Sequence, residues 1–202
     1  MLRVYLLISL VLLIMPRIGT SCTILIMGDS ISAAYGMAEN EGWGVLLETR
    51  LNQKESNCKL INSSISGETS AGGLERIDNE LRIHNPSILI LELGANDGLR
   101  GQSHITLKSN LSEIIRRAQA TQAHVILLGI RIPPNYGKKY TELFKQTYFQ
   151  LAEKSSLTLV PYILENIGDN PGLMQKDGIH PNQKAQALIV DRIWPHLKPL
   201  LD

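Results

Sequence analysis

The stretch LIMGDSISAAYG, Leu25–Gly36, sets the terms on which the rest of the chain is read. Its opening residues close an apolar run that begins at Thr23. The run is short, lacks polar alternation and is rich in Ile and Leu, as expected of a strand buried on both faces. It stops at Gly28-Asp29-Ser30. Gly, Asp and Ser are turn formers for separate steric and hydrogen-bonding reasons, so the segment reads as a strand entering a tight turn. A serine at the end of a buried strand also reads as a nucleophile. The remainder of the sequence has to decide between the two.

Working outward, runs of the same kind recur at Lys59–Ser63, Ser87–Leu93, His124–Ile130 and Leu157–Ile163. Between them lie helical stretches at Trp43–Lys54, Ala71–His84, Thr106–Ala120 and Tyr140–Ser155, and a last one follows Pro181. In Thr106–Ala120 the apolar residues Leu107, Leu111, Ile114, Ile115 and Ala118 keep helical spacing. Strands alternating with helices imply right-handed parallel β-α-β units with helices on both faces. The expected fold class is α/β: a three-layer α/β/α domain with a five-stranded parallel sheet in the flavodoxin-like order 2-1-3-4-5. No internal repeat or linker interrupts it, so one domain is expected over residues 23–202.

Residues 1–22 stand apart. Met1-Leu2-Arg3 gives a positive start, Val4–Met15 is apolar except for Ser9, Pro16 ends the run, and small residues follow at Gly19-Thr20-Ser21. This pattern reads as a secretory signal peptide, shorter than the roughly 20 apolar residues of a membrane span. An exported protein, periplasmic or secreted, is expected, without stable membrane insertion once the leader is removed. An uncleaved anchor is the alternative. Cys22 lies just ahead of the first strand and Cys58 opens the second run. Were those strands parallel neighbours, the cysteines would lie at matching ends about 4.8 Å apart, within bridging reach. Two free thiols, loss of Cys22 with the leader, or lipidation of Cys22 after cleavage are the alternatives. Lipidation fits poorly, because the leucine usual three residues before such a cysteine is missing.

The chain has 202 residues, 44% of them hydrophobic, and a formal net charge of +1. A chain of this length holds a core without metal or disulfides. Near-neutral charge argues against nucleic acid as a partner, which needs clustered Lys and Arg. Arg116-Arg117 and Lys138-Lys139 are too short for that. The expected partners are small molecules, no cofactor or metal is called for, and nothing in the sequence demands an oligomer.

In open parallel sheets, ligands bind beyond the carboxyl ends of the strands. The loops expected at that edge are GDS (Gly28–Ser30), SISGETS (Ser64–Ser70), GANDGLRG (Gly94–Gly101), RIPPNYG (Arg131–Gly137) and DNPGLMQKDGIHPN (Asp169–Asn182). Of five histidines only His180 falls in one of them, with Asp177 three residues earlier. A serine nucleophile needs a base, and a histidine base needs an orienting group. Within a turn, Asp177 can reach back to the His180 imidazole. Pro181 pushes His180 towards extended backbone and suits the first position of the next helix. Preorganised donors for an oxyanion are available in the backbone N–H of Ser30, the N–H of Gly67 and the side-chain amide of Asn96. Taken singly, each of these is an ordinary turn residue.

Jointly, GDS near the amino end, a lone Gly after the second strand, Gly-x-Asn-Asp after the third and Asp-x-x-His-Pro near the end resemble the SGNH (GDSL) hydrolases. The likeness is nearest to the branch of bacterial periplasmic thioesterases that also act as arylesterases and lysophospholipases. It is carried by GDSISAAYGM, NSSISGETSAGGL, ELGANDGLRG, IRIPPNYGKKY and MQKDGIHPN. The resemblance implies a Ser30-His180-Asp177 triad, an acyl-enzyme, an oxyanion hole from Ser30, Gly67 and Asn96, and acyl ester or thioester substrates, lysophospholipids among them. Glu68 and Ala95 depart from the family pattern, where Asp and Gly are usual, and both are placed at the pocket wall. Asp29 and Asp97 are expected to shape their loops. Leu99, Ile132, Pro133, Tyr136, Leu173 and Met174 are candidates for an apolar acyl groove, and Gly98–Ser103 for a loop closing over it. A short-acyl or carbohydrate esterase is the alternative within the family. A metal-dependent phosphohydrolase using Asp29, Asp97 and Asp177, or a non-catalytic binding module, are alternatives outside it.

Overall fold

The structure is a computed structural model that describes residues 22–201. A single parallel sheet is built from β1 (Cys22–Gly28), β2 (Cys58–Asn62), β3 (Ile88–Glu92), β4 (His124–Leu128) and β5 (Thr158–Val160). The helices are α1 (Trp43–Gln53), α2 (Ser70–His84), α3 (Ala95–Leu99), α4 (His104–Ala120), α5 (Lys138–Ser155) and α6 (Gln183–Leu197). The strand order is β2-β1-β3-β4-β5, the order expected from the sequence, and every pair is parallel.

Alternation along each strand divides the core in two. Ile24, Ile26, Ile88, Ile90, Ile126 and Leu128 pack with Trp43, Leu47 and Leu51 of α1 and Ile189, Ile193 and Leu197 of α6. The intervening Leu25, Met27, Leu89, Leu91, Val125 and Leu127 pack against α2, α4 and α5 through residues such as Ile77, Leu111, Ile114, Phe144 and Leu151. Every one of these side chains is buried, and full burial of each stabilises by about 1.5–3 kcal/mol. The uninterrupted apolar runs in the sequence record this double coverage. A strand exposed on one face would alternate with polar residues.

Three elements differ from the sequence expectation. Ala95–Leu99, expected as loop, forms the short helix α3. β5 is three residues long, so Pro161–Ile163 leave the sheet. Pro181 does not open α6: Asn182 is the N-cap, its Oδ1 accepting from the Lys184 N–H at 3.0 Å, and the helix begins at Gln183. Of the leader expected over 1–22, residues 1–21 lie outside the described residues. Cys22, counted with the leader, is the first residue of β1. It pairs in register with Cys58 of β2 and is joined to it by a disulfide, with the Cα atoms 4.3 Å apart. A bridged Cys22 has no thiol left for lipidation. Among the described residues no helix is long and apolar enough to cross a membrane.

The disulfide ties an edge strand to its neighbour and closes a loop of sequence separation 36. Such a closure stabilises by about 3–4 kcal/mol in the chain-entropy model. Reduction, or the Cys22→Ser/Cys58→Ser pair, should therefore lower the unfolding free energy by about that amount. Denaturant titration with and without reductant checks it; equal midpoints would show that the bridge contributes nothing.

Candidate active site

The loops at the carboxyl edge gather around the end of β1 because β1 is paired in parallel and in register with β2 on one side and β3 on the other. The chain leaving β2 stays paired to β1 beyond the strand: Ser63 donates to the Ile26 carbonyl at 2.9 Å and Ile65 to the Gly28 carbonyl at 3.0 Å. This holds the loop that carries Gly67 beside the turn that carries Ser30. Gly67 has φ +82, a left-handed conformation that a β-carbon disfavours. Arg100 Nη2 fastens the same residue by donating to its carbonyl at 3.0 Å. Among the described residues no acceptor engages the N–H of Ser30 or of Gly67.

The distant Asp177–Asn182 segment is brought over the same turn. His180 Nε2 lies 2.9 Å from Ser30 Oγ, and His180 Nδ1 lies 2.6 Å from Asp177 Oδ2. The other carboxylate oxygen, Asp177 Oδ1, accepts the N–H of Ile179 at 2.9 Å and of His180 at 3.0 Å. The loop is thus a closed hydrogen-bonded turn, and the carboxylate orients the ring while shaping its own backbone. Burial pushes the Asp177 carboxyl up, but the His180 ring and the two backbone N–H groups outweigh it and hold Asp177 at about 2. It is therefore a carboxylate throughout the neutral range. Two neighbours not singled out in the sequence complete the arrangement. The Tyr35 ring lies against the imidazole with centroids 4.6 Å apart, and Gln175 Nε2 donates to the Tyr35 carbonyl at 2.7 Å.

Asn96 sits in the first turn of α3, where its Nδ2 donates to the Glu68 carbonyl at 2.9 Å and to Asp29 Oδ2 at 3.2 Å. The Glu68 side chain does not reach the pocket wall; it forms a forked ion pair with Arg76, which also donates to Ser63 Oγ at 2.9 Å. Ala95 does line the pocket. Asp97 accepts from the Ser70 N–H at 2.8 Å and the Ser70 hydroxyl at 2.5 Å, tying α3 to the start of α2. Asp29 accepts the Ile31 N–H at 3.1 Å and so closes the turn around Ser30.

Beneath this turn lies a group that sequence reading passed over. Glu92, the last residue of β3, is fully buried and accepts the Asp29 N–H at 3.2 Å and the Ser32 hydroxyl at 2.8 Å. The signal was a lone acid in an otherwise apolar strand. It also explains Gly28: a β-carbon there would stand 2.7 Å from Glu92 Oε2 and 2.6 Å from Ser32 Oγ. Burial pushes Asp29 up to about 6 and lifts Glu92 well above the usual carboxylate range, the Asp29 charge adding to the latter.

A cavity of about 360 Å³ opens beside the serine turn. Of the expected groove residues, Leu99, Ile132, Pro133 and Met174 line it. Tyr136 and Leu173 do not: the Tyr136 hydroxyl donates to the Leu99 carbonyl at 2.8 Å, and Leu173 packs on the α1/α6 core. Ile31, Ile130, Tyr162 and Ile179 line the cavity without having been anticipated. The segment Gly98–Ser103, expected as a loop closing over the groove, begins inside α3 and is held by Tyr140, whose hydroxyl donates to the Gln102 carbonyl at 2.8 Å.

With this geometry in view, comparisons with known proteins agree on one relationship. The sequence profile of the GDSL-like Lipase/Acylhydrolase family matches residues 26–188. Esterase TesA of Pseudomonas aeruginosa is 44% identical over 192 residues, 95% of this chain and 96% of that one. Thioesterase 1/protease 1/lysophospholipase L1 of Escherichia coli strain K12 is 40% identical over 186 residues, 92% of this chain and 88% of that one. The crystal structure of a TesA superposes with a TM-score of 0.87 at 46% identity, covering 89% of this chain and 99% of that one. The resemblance drawn from the motifs is borne out, as is the fold that it implied.

The raised Asp29 makes a prediction with a definite sign. A carboxyl whose pKa is higher folded than unfolded binds more proton in the native state between the two values, so its contribution to stability falls as pH rises from about 4 to about 6. Asp29→Asn should flatten that part of the stability profile. Unfolding free energies measured at intervals from pH 4 to 7 check it, and an unchanged slope would assign it to other groups.

Proposed function

The chain belongs to the GDSL-like lipase/acylhydrolase family, and from that membership and the site geometry we propose that it is a serine hydrolase of acyl esters and thioesters. The hydrogen-bonded line from Ser30 Oγ through the His180 ring to the Asp177 carboxylate carries the reading. His180 Nε2 takes the Ser30 proton as Oγ attacks the acyl carbonyl, and Asp177 keeps the proton on Nδ1 and offsets the positive charge that forms. The negative charge on the carbonyl oxygen is met by the N–H groups of Ser30 and Gly67 and the Asn96 amide. His180 then protonates the departing alcohol or thiol, leaving an acyl-enzyme. A water deprotonated by His180 attacks it, and the free acid departs.

The apolar wall of the cavity supports an acyl chain as the part of the substrate it receives, in lysophospholipids, aryl esters or acyl thioesters alike. The acids that a phosphohydrolase would gather are engaged separately: Asp177 by His180, Asp97 by Ser70, and Asp29 by Ile31 and Asn96. Among the described residues no three His, Cys, Asp or Glu side chains form a group able to hold a metal ion. We further propose that the chain is exported and that its leader is cut before Cys22. The bridge to Cys58 requires Cys22 in the mature chain, and disulfides persist in oxidising compartments. Sequencing the mature amino terminus tests this, and a start beyond Cys22 would sink it.

Ser30→Ala should abolish hydrolysis of acyl esters and acyl thioesters by purified protein. Asp177→Asn should cost on the order of 10⁴ in kcat, because the ring then loses both its tautomer and its counter-charge. Acyl hydrolysis undiminished in Ser30→Ala would overturn the reading. Ile132→Trp fills the cavity from its wall and should reduce activity on long acyl chains while sparing short ones. A wild-type profile confined to short chains from the outset would instead favour the short-acyl or carbohydrate esterase.

A further inference from the structure

Two acidic side chains are buried directly under the nucleophile turn, and the triad uses neither. Asp29 and Glu92 are both fully buried, and the Glu92 carboxyl reaches the Asp29 backbone, accepting its N–H at 3.2 Å. Two carboxylates cannot both stay ionised in such a place, since the desolvation of each and their mutual repulsion add. The donor inventory locates the proton. Glu92 Oε2 takes both available donors, the Asp29 N–H and the Ser32 hydroxyl, whereas the buried Oε1 receives none. A buried carboxyl oxygen without a donor is satisfied once it carries the proton itself and becomes the donor. Gly28 leaves the room for this close approach. The titratable groups facing the pair are His180, whose charge acts on Asp29, and Tyr148 of α5, on which both carboxyls act.

The consequence reaches the oxyanion site through Asn96. Its amide has two hydrogens, one on the Glu68 carbonyl at 2.9 Å and the other on Asp29 Oδ2 at 3.2 Å. Both are engaged in the resting structure. To meet a developing oxyanion, Asn96 must give up one, and the longer bond to Asp29 is the one to give. A full, unshared charge on Asp29 would grip that hydrogen as a charge-assisted bond and place a second negative charge beside the oxyanion. We propose that Glu92 is a positioning residue for acyl transfer: it keeps a proton on Oε1 and offers it as a hydrogen bond to Asp29, and thereby leaves Asn96 free to turn its Asp29-directed N–H to the oxyanion as a hydrogen-bond donor. The proposal rests on the serine-hydrolase reading above and adds to it a residue that touches neither substrate nor reacting atoms.

The test uses Glu92→Gln, which keeps a donor and an acceptor in the same shape, and Glu92→Leu, which keeps neither. Infrared difference spectra of the wild type at neutral pH should show a deuterium-sensitive protonated-carboxyl band that Glu92→Gln loses. With a saturating acyl ester, Glu92→Gln should stay within about threefold of wild-type kcat, and Glu92→Leu should lose on the order of tenfold with KM unchanged, less than the 10²–10³ lost with a whole oxyanion donor. A wild type without the band, a band that survives Glu92→Gln, a Glu92→Leu enzyme with wild-type kcat, or a Glu92→Gln enzyme as slow as Glu92→Leu would each overturn the proposal. Should Glu92→Leu fail to fold, the band and the Glu92→Gln rate decide alone. Ser30→Ala is run beside them. Undiminished turnover there overturns the serine reading and the catalytic half of this proposal, while the band still reports on the shared proton by itself.

Discussion

The parallel pairing of β1 on both of its edges is the constraint from which the site follows. β1 is hydrogen-bonded to β2 on one side and to β3 on the other, with Gly28 in register with Glu92 at the carboxyl end. Its Thr23–Gly28 backbone is covered above and below as well. A strand so enclosed has one free direction, out of its carboxyl end, and there the chain must turn at once. That turn carries Ser30. The loops leaving β2 and β3 emerge on either side of it because parallel strands all end at the same edge.

A buried turn has to satisfy its own polar groups without water. Asp29 serves the Ile31 N–H, Glu92 serves the Asp29 N–H, and the Ser32 hydroxyl closes on Glu92. The floor of the site is therefore polar within an otherwise apolar core. The remaining parts are clamped from outside, by Arg76 on Glu68, Ser70 on Asp97 and Gln175 on Tyr35.

The strands, their order and the three residues Ser30, His180 and Asp177 that the fold brings within hydrogen-bond distance were legible in the sequence, and the reason is physical. Strands buried on both faces need unbroken apolar runs, and turns at their ends need Gly, Asp, Asn or Ser. The edge on which residues gather therefore follows from counting elements. The cysteine bridge was legible only as one option among free thiols, loss of Cys22 with the leader and lipidation, because it depended on β1 and β2 being neighbours, which the fold supplies. α3 was not legible. Its residues Ala95–Leu99 include Asn, Asp and Gly, weak helix formers, and it forms through tertiary bonds such as Asp97 to Ser70. Gly28 was read as a turn former, whereas it is needed for the approach of a carboxyl 64 positions away in the chain, at Glu92. Tyr136 and Leu173 lie in carboxyl-edge loops as expected, but which way a loop side chain points is set by partners that no local pattern encodes.

α3 joins two jobs in one turn of helix. Asn96, the oxyanion candidate, and Leu99, a wall of the cavity, are three residues apart and therefore ride on the same rigid unit. Tyr136 and Tyr140 pin the far end of that unit and Asp97 pins the near end. A chain lodged against Leu99 presses on the same short lever that aims the Asn96 amide. In the proposed reaction, recognition of the remote tail and alignment of the reacting carbonyl would then be mechanically one act, with contact energy won far from the reacting atoms available where charge develops.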